Sequence, residues 1–223
     1  MHFRPPYRAA GDRVYQAIKA RLVAYEFPQG ERIYLEPIAE ALGVSTTPVR
    51  EAMNRLAERD LVIKAENKGF FAMTLCEARL RGHYELTRLL LTLGLEDLSP
   101  AAQRQMLNYA PIAEIVNKLN RRVITDTGTL ARYTGEIFAA IAALIDNSAV
   151  QLAVDRANDH LYFVRTLECR HVDDVQGELK RFCELLLSGE RDEFVSAIHV
   201  YHQQRIDLLP ELLRRGQAVN ADE

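Results

Sequence analysis

A change of apolar spacing between Leu35 and Met73 constrains the fold more than any other feature. In LEPIAEALGVSTTPVREAMNRLAER, apolar residues recur at the three- and four-residue spacing of helices, and Gly43 separates a short helix from a longer one. LVIKA and FFAM then form two short apolar runs, joined by ENKG, whose Asn67 and Gly69 suit the turn of a β-hairpin. Together with a helix predicted earlier in the chain, these two helices and the hairpin are typical of a winged helix-turn-helix.

The rest of the chain is predicted to be helical. A first helix is expected from Asp12 to Ala24, with Asp12 as its N-cap. After Leu75 the strand signals disappear, and helical stripes are interrupted near residues 99–100, 125–129, 147–148, 171–173 and 189. The predicted fold class is therefore mainly α, with an N-terminal winged helix-turn-helix carrying a small β-hairpin and a C-terminal all-α bundle of about six helices. The predicted boundaries are an arm at 1–11, the winged domain at 12–74 and the bundle at 75–223.

The charge balance excludes a chain that is basic throughout. The 223 residues carry a formal net charge of −3, with 11 Lys and Arg against 9 Asp and Glu in residues 1–75, and 17 against 22 in residues 76–223. Any binding of nucleic acid must therefore use one local face of the protein. The first 75 residues are the more suitable part, since their balance is slightly positive.

The cysteines and the apolar runs favour a cytoplasmic protein. Cys76, Cys169 and Cys183 are odd in number, widely spaced and lack a CxxC pair, which argues against a disulfide framework or a zinc ribbon. No signal-peptide pattern follows the first residues, and no run approaches the roughly 18 apolar residues of a membrane span. We therefore expect a cytoplasmic protein with no membrane partner.

Residues with hydroxyl side chains stand at the start of the longer helix of the helix-turn-helix. The first residues of such a helix enter the major groove of DNA, while its later turns pack on the domain core. Ser45, Thr46 and Thr47 can hydrogen-bond to phosphates or base edges, and Arg50 one turn later can make a bidentate contact with guanine or phosphate. The alternative for the same hydroxyls is ordinary helix capping, with Arg50 as a solvated surface residue.

Other candidate DNA contacts lie later in the same domain. Arg55 follows Arg50 on the longer helix, and Asn67, Lys68 and Gly69 form the tip of the predicted hairpin. A hairpin tip of this kind can enter a minor groove or meet phosphates. As isolated surface residues they would carry no such meaning, so the prediction depends on the whole helix, helix and hairpin arrangement.

The stretch from Pro28 to Ala72, PQGERIYLEPIAEALGVSTTPVREAMNRLAERDLVIKAENKGFFA, resembles the DNA-binding domain of GntR-family bacterial transcription regulators. The similarity covers residues 12–75 and includes the turn with Gly30, the LGVS.TPVREA pattern and the glycine-aromatic wing. One departure is Thr46, where the family commonly has Arg. The resemblance implies DNA binding, and Thr46 implies a change in the operator sequence that is recognised.

The helical C-terminal half resembles the FadR subgroup of that family in architecture, and this resemblance implies an effector-binding and dimerisation bundle. Many members hold a divalent metal there through one Asp and three His. In this chain Gly135, Ala139 and Leu179 fall where the Asp and two of the His belong, and only His202 remains. Although His199 lies three residues before His202 and the two could pair, the sequence predicts no metal cofactor. Thr87 and Leu91 also replace an Arg and a Glu that the subgroup usually carries.

Five polar residues on predicted helices are candidates for the walls of an effector pocket. They have apolar neighbours in sequence, and a solvated or structural role is the alternative for each. The candidates are Arg88, His160, Tyr162, Arg165 and His202. The expected effector is an organic acid or an acyl compound, in keeping with the resemblance.

The sequence as a whole predicts a DNA-binding transcription regulator that is not an enzyme. We expect a ligand-responsive repressor that binds a palindromic operator as a homodimer, since dimers match half-sites spaced by helical turns. A constitutive DNA-binding dimer without effector or metal is the first alternative. An enzyme that uses the winged domain for protein interactions is the second, although the sequence contains no nucleophile elbow, phosphate loop, HExxH or paired-carboxylate motif.

Overall fold

The structure is a computed structural model that describes the backbone of residues 6–219 and the side chains of residues 11–214. The chain divides between Leu75 and Cys76 into two compact units, one residue after the boundary expected from the sequence. The first unit combines helices with a small sheet, and the described part of the second is entirely helical. The predicted fold class is confirmed.

The first unit contains three helices and a three-stranded antiparallel sheet. Its elements are α1 Pro6–Val23, β1 Arg32–Ile33, α2 Leu35–Leu42, α3 Thr46–Ala57, β2 Val62–Ala65 and β3 Gly69–Ala72. The strand order is β1-β3-β2, with Ile33 opposite Phe70 on one side of β3 and Lys64 opposite Phe70 on the other. The strand β1 was not predicted, because two residues are too few to show the alternation of a strand.

Two expectations for the N-terminal region were wrong. Residues 6–11 of the predicted arm belong to α1, which begins at Pro6, a residue type that the first turn of a helix tolerates. Residues 1–5 of the arm lie outside the described part. Asp12 is consequently not an N-cap but lies in the second turn of α1, where its carboxylate is 3.3 Å from Nη1 of Arg55.

The turn at Gly43 sets the direction of α3 relative to α2. Gly43 has a left-handed φ of 63°, which costs a glycine little, and its N–H donates to the carbonyl of Glu40. The N–H of Val44 donates to the carbonyl of Ala39. One face of α3 then packs into the core of this unit through Val49, Met53 and Leu56, all fully buried. The opposite face of α3 is left for solvent or a partner.

The second unit has seven helices in its described part, one more than the sequence predicted. They are α4 Glu77–Glu96, α5 Pro100–Met106, α6 Ala110–Arg121, α7 Thr127–Leu144, α8 Ser148–Glu168, α9 Val175–Ser188 and α10 Arg191–Val219. The missed break lies between α5 and α6, where residues 107–109 carry no Gly or Pro. The interruption predicted near 125–129 lies at 122–126 in the structure, because Asp126 caps α7 by accepting a hydrogen bond from the N–H of Thr129.

The interior of the second unit is mostly apolar but also contains buried polar side chains. Leu91, Phe138, Ile141, Phe194 and Ile198 belong to one cluster of fully or almost fully buried side chains. Several polar side chains are buried as well. They are Thr87, Thr134, His160, Arg165, Glu168, His202 and Arg205. None of the described helices is long and apolar enough to cross a membrane.

Candidate nucleic-acid interface and buried polar cluster

The hydroxyl groups at the start of α3 are available for contacts with a binding partner. Ser45 has an extended backbone with φ −76° and ψ 166°, and its side chain forms no capping hydrogen bond. Ser45 and Thr47 are exposed, and Thr46 is partly exposed. The geometry therefore does not favour capping as the role of these residues, and their oxygens can meet an external partner. Free backbone N–H groups at the helix start add attraction for phosphate.

The outer face of α3 continues this polar surface. Arg50 is exposed, one turn after Thr47, and Asn54 follows one turn after Arg50. The side-chain Oδ1 of Asn54 is buried and has no hydrogen-bond partner. Because residues three and four apart share one side of a helix, these three side chains form a continuous strip on the face opposite the core.

The hairpin between β2 and β3 forms the predicted wing. Asn67 and Gly69 both have positive φ, 56° and 95°, which allows the tight reversal of the chain. Asn67 and Lys68 are exposed at the tip. A Cβ added to Gly69 would lie 3.5 Å from Nε of Arg32. The backbone of this position therefore favours glycine, and the Arg32 guanidinium packs against it.

A cleft of about 380 Å³ lies between α3 and the sheet. It is lined by Arg32, Arg50, Asn54, Lys64, Ala65, Asn67, Gly69 and Phe70. Three of these residues are cationic, two are amides and none is acidic. We call this region the α3–wing cleft. Its chemistry suits phosphates and base edges, which accept hydrogen bonds from Arg, Lys and Asn.

Sequence reasoning found part of the α3–wing cleft. Of the residues that line the cleft, the sequence predicted Arg50, Asn67 and Gly69. The other predicted DNA contacts lie near the cleft: the hydroxyl residues at positions 45–47 begin α3, and Lys68 lies at the wing tip. Arg32, Asn54 and Lys64 were not predicted. The four-residue spacing from Arg50 could have indicated Asn54, and the alternation of β2 could have indicated Lys64, whereas Arg32 depends on the strand that was missed.

Arg55 is placed differently from the other predicted DNA contacts. Its Nη1 is 3.3 Å from the carboxylate of Asp12, and its guanidinium lies 4.2 Å from the ring centroid of Tyr15. Both partners belong to α1. At about 100° per residue, Arg55 lies roughly 140° around α3 from Arg50. The contacts of Arg55 therefore favour a structural role in joining α3 to α1.

The fold and the α3–wing cleft define a winged helix-turn-helix DNA-binding protein. Residues 10–72 match the family of bacterial regulatory proteins named gntR. The chain thus carries a GntR-family helix-turn-helix domain and has the class of a transcription regulator, as the sequence resemblance indicated.

Proteins of similar sequence are named as transcriptional regulators. The chain is 26% identical over 192 residues to the Nta operon transcriptional regulator of Aminobacter aminovorans, which covers 86% of this chain and 90% of that protein. It is 38% identical over 103 residues to an HTH-type transcriptional regulator of Agrobacterium vitis, over 46% of this chain and 56% of that protein.

Solved structures show the same fold over nearly the whole chain. A structure described as transcriptional regulator GntR from Rhodococcus sp. RHA1 has a TM-score of 0.73 and 19% identity, covering 92% of this chain and 98% of its own. McbR/YncC from E. coli has a TM-score of 0.63 and 18% identity, covering 91% and 97%. The similarity to the FadR subgroup stays a prediction.

The five candidate effector residues of the second unit do not form one group. Nη1 of Arg88 donates to Oε1 of Gln203 at 2.7 Å. His160 is buried and stacks on His83, with ring centroids 4.4 Å apart. Tyr162 is partly exposed, and its hydroxyl lies beside Gly128 at the start of α7. These three residues therefore contact separate parts of the bundle.

Arg165 and His202 lie together in the core. Both are close to the Phe138 ring, with the Arg165 guanidinium 5.4 Å and the His202 ring 5.0 Å from its centroid. Nδ1 of His202 is 2.7 Å from the carbonyl of Ile198. Burial, with a further contribution from nearby arginines that include Arg165, lowers the pKa of His202 to about 3. His202 is thus neutral near pH 7, and donation from Nδ1 leaves its Nε2 as an acceptor.

A buried ion network adjoins these residues. The Tyr84 hydroxyl donates to Glu168, and Nε of Arg205 lies 3.6 Å from the other oxygen of the Glu168 carboxylate. Nη1 of Arg205 also donates to Glu178 at 2.8 Å. Burial raises the pKa of Glu168, while Arg205 and the hydrogen bond from Tyr84 oppose that effect. Sequence reasoning missed Glu168 and Arg205, because their pairing joins distant parts of the chain.

The residues at the subgroup's metal position do not fit a metal. Gly135, Ala139 and Leu179 offer no ligand atom, and the Arg165 guanidinium lies beside Gly135, where its charge would repel a metal cation. Among the residues whose side chains are described, no three His, Cys, Asp or Glu gather in the way a metal site requires. We therefore derive no function through a metal.

Proposed function

We propose that this protein is a ligand-responsive repressor that binds a palindromic operator as a homodimer. The α3–wing cleft carries the proposal, because Arg32, Arg50 and Lys64 converge there from three elements of one unit. The GntR-family match and the names of similar proteins support regulation of transcription. Access to chromosomal DNA would place the protein in the cytoplasm, and the proposed action involves no catalysis.

In this proposal α3 enters the major groove. Thr47, Arg50 and Asn54 would face base edges, since they share the outer side of α3. The wing would lie along the adjacent backbone or minor groove, where Lys68 is available to a phosphate. Arg32 and Lys64 would add phosphate contacts between these two regions. The contacts to bases would determine the operator, and the contacts to phosphates would determine most of the salt dependence.

An exposed leucine stripe on α4 supports the homodimer. Leu86, Leu89 and Leu93 recur at spacings of three and four residues and are 44%, 54% and 58% exposed. Apolar residues grouped in this way mark interaction surfaces more often than scattered ones do. A second copy of the chain is the proposed partner, because a dimer with twofold symmetry matches a palindromic operator.

The dimer is tested by charging this stripe. We expect Leu89→Glu together with Leu93→Glu to raise the dimer dissociation constant by about 100-fold or more, because buried interface leucines would become charged. Analytical ultracentrifugation over a concentration series measures this constant. The matched control is Val123→Glu, since Val123 is 82% exposed outside α4. A double variant that dimerises like the wild type would contradict the proposed interface.

Ligand response requires different affinities of the effector for the DNA-binding and DNA-free states. The direct test is fluorescence anisotropy on DNA from upstream of the protein's own gene, with excess nonspecific duplex and a panel of organic acids and acyl-CoAs. Specific binding that one compound weakens is the expected result. Specific binding that no compound changes would favour the constitutive dimer, and no specific binding at all would contradict the proposal.

A further inference from the structure

Arg32 is an exposed cation that two neighbours hold in place. Its guanidinium carbon lies 5.3 Å from the ring centroid of Tyr34, which is within the range of a cation–π contact. Its Nε also lies 3.5 Å from the place that a Cβ would take on Gly69, at the start of β3. Among the residues that the structure describes, no carboxylate forms an ion pair with Arg32. The side chain is therefore oriented while its charge stays available.

Neither core packing nor helix capping explains the position of Tyr34. Its side chain is 60% exposed, more than Leu42 and Ile63, the other exposed large hydrophobic side chains described for the first unit. Tyr34 is the N-cap residue of α2, but its side chain forms no capping hydrogen bond. The contact that the structure does give this ring is the one with Arg32. An exposed ring that holds a cation suits a surface at which that cation meets a partner.

The Arg32 side chain lines two adjoining openings. One is the α3–wing cleft, and the other is a smaller opening of about 80 Å³ that is also lined by Tyr34 and Glu36. Arg50 and Gly69 line both openings. The smaller opening therefore continues the surface of the cleft, and Tyr34 adds the start of α2 to that surface.

Glu36 offers Arg32 an alternative to an external anion. The α3–wing cleft has no acidic residue in its lining, whereas the smaller opening has Glu36. An Arg32 side chain that turned towards Glu36 could pair with its carboxylate, and its charge would then be lost to a partner in the cleft. The Tyr34 ring, by contrast, holds the guanidinium without neutralising it. The ring thus keeps a full positive charge at the edge of the cleft.

A cation that is already oriented binds a phosphate more tightly. A free arginine side chain loses rotamer freedom when an anion fixes its guanidinium, and a contact that fixes it beforehand reduces this loss. An exposed cation–π contact is strong enough to change affinity by about two- to fivefold at each site. Two copies of the winged unit on one duplex would raise the combined factor to about tenfold.

We propose that Tyr34 is a positioning residue of the DNA interface, whose ring holds the Arg32 guanidinium beside the wing for contact with a backbone phosphate. The partner of this pair is double-stranded DNA. Because the contact is to phosphate, it is independent of the base sequence. The inference rests on the proposed DNA binding and extends the interface to the start of α2.

The test is fluorescence anisotropy of the full-length protein on two duplexes of equal length. One duplex comes from upstream of the protein's own gene and the other is a nonspecific sequence. Tyr34→Leu should weaken binding to both by about tenfold, because the ring that orients Arg32 is lost. Tyr34→Phe should bind like the wild type, since it keeps the ring. Urea denaturation of each variant shows that it is folded.

A double-mutant cycle with Arg32→Gln separates positioning from a purely structural role. Tyr34→Leu should have little further effect in the Arg32→Gln background, because the guanidinium that the ring orients is then absent. A structural role of the ring would give the same loss in both backgrounds. Arg32→Gln should also lower the slope of log affinity against log salt concentration by about one for each winged unit on the DNA.

Phe27→Leu is the matched control. Phe27 makes a cation–π contact with Arg21 at 4.5 Å in the same unit, but neither residue lines the α3–wing cleft or the smaller opening. Its substitution therefore removes an aromatic ring from a cation away from the proposed interface. Wild-type DNA affinity is expected for this variant.

The inference is overturned if Tyr34→Leu binds both duplexes like the wild type, if Tyr34→Phe loses as much affinity as Tyr34→Leu, or if the losses of Tyr34→Leu and Arg32→Gln add. Specific binding that Arg50→Ala weakens and Tyr34→Leu leaves unchanged would refute the positioning role alone. Equal affinity of the wild type for the two duplexes, weakened by Tyr34→Leu, would refute the proposed regulator and support the phosphate contact. Absence of any DNA binding would overturn both.

Discussion

The two units of this protein place their polar side chains in opposite ways. In the first unit, Arg50, Lys64 and Asn67 are exposed around a surface cleft, where an external partner can neutralise them. In the second, Arg165, Glu168 and Arg205 are removed from water inside a helical bundle. Surface charges of the first kind contribute little to folding, whereas buried charges of the second kind must be paired or they destabilise the protein. Substitutions of the polar residues in the first unit should therefore affect binding with little change in stability. Substitutions of the buried polar residues in the second unit should change the stability of the fold.

The largest expected effect comes from breaking the buried network. Arg205→Ala should lower the free energy of unfolding by about 3 to 5 kcal/mol, because it leaves the buried Glu168 carboxylate without its cation. Urea denaturation followed by circular dichroism measures this change. Arg205→Met combined with Glu168→Gln should recover part of the loss, since both charges are then removed. An Arg205→Ala protein as stable as the exposed control Arg170→Ala would contradict the account of the network.

The pH dependence of stability gives an intermediate effect. The pKa of His202 is lowered by burial to about 3 in the folded protein, whereas an unfolded histidine titrates near its ordinary value of about 6.5. The unfolded state therefore binds more protons between these values, and the contribution of neutral His202 to stability is lost progressively as pH falls below about 6.5. At pH 5 this loss should be about 2 kcal/mol relative to pH 8.

This histidine effect is isolated by comparing variants. Urea unfolding is measured at pH 5 and pH 8 for the wild type, His202→Gln and His199→Gln. His199 is the matched control, because it lies on the same helix and is exposed. The difference between the two pH values should shrink by about 2 kcal/mol in His202→Gln and stay unchanged in His199→Gln. Equal behaviour of the two variants would show that burial of His202 does not control its protonation.

The smallest expected effect concerns the wing. Lys68→Ala should reduce the slope of log affinity against log salt concentration by about one, because one phosphate contact is removed, with little change in preference among sequences. Anisotropy at a series of salt concentrations measures the slope. Lys180→Ala is the control, because Lys180 is a partly exposed lysine paired with Glu184 in the second unit. An unchanged slope in Lys68→Ala would remove the wing tip from the interface.

The difference between the units also explains what the sequence could predict. The helix-turn-helix depends on local signals, such as Gly43 between two helical stripes and Gly69 in a hairpin turn, and these were found. The strand at Arg32 was missed because it is defined only by its pairing with β3. In the second unit, the pairing of Arg205 with Glu168 and Glu178 joins residues of three helices, and no local spacing indicates it. Arg165 and His202 were named as candidates, but only the structure shows their burial.

We propose that α3 contacts DNA through Arg50 and is joined to α1 through Arg55. The most direct test is operator affinity of Arg50→Ala and Arg55→Ala, measured by anisotropy together with unfolding free energy for each protein. We predict that Arg50→Ala loses about 1 to 3 kcal/mol of specific binding at unchanged stability. Arg55→Ala should bind DNA nearly as the wild type does and lose a fraction of a kcal/mol to about 1 kcal/mol of stability. Wild-type operator affinity in Arg50→Ala would contradict the account.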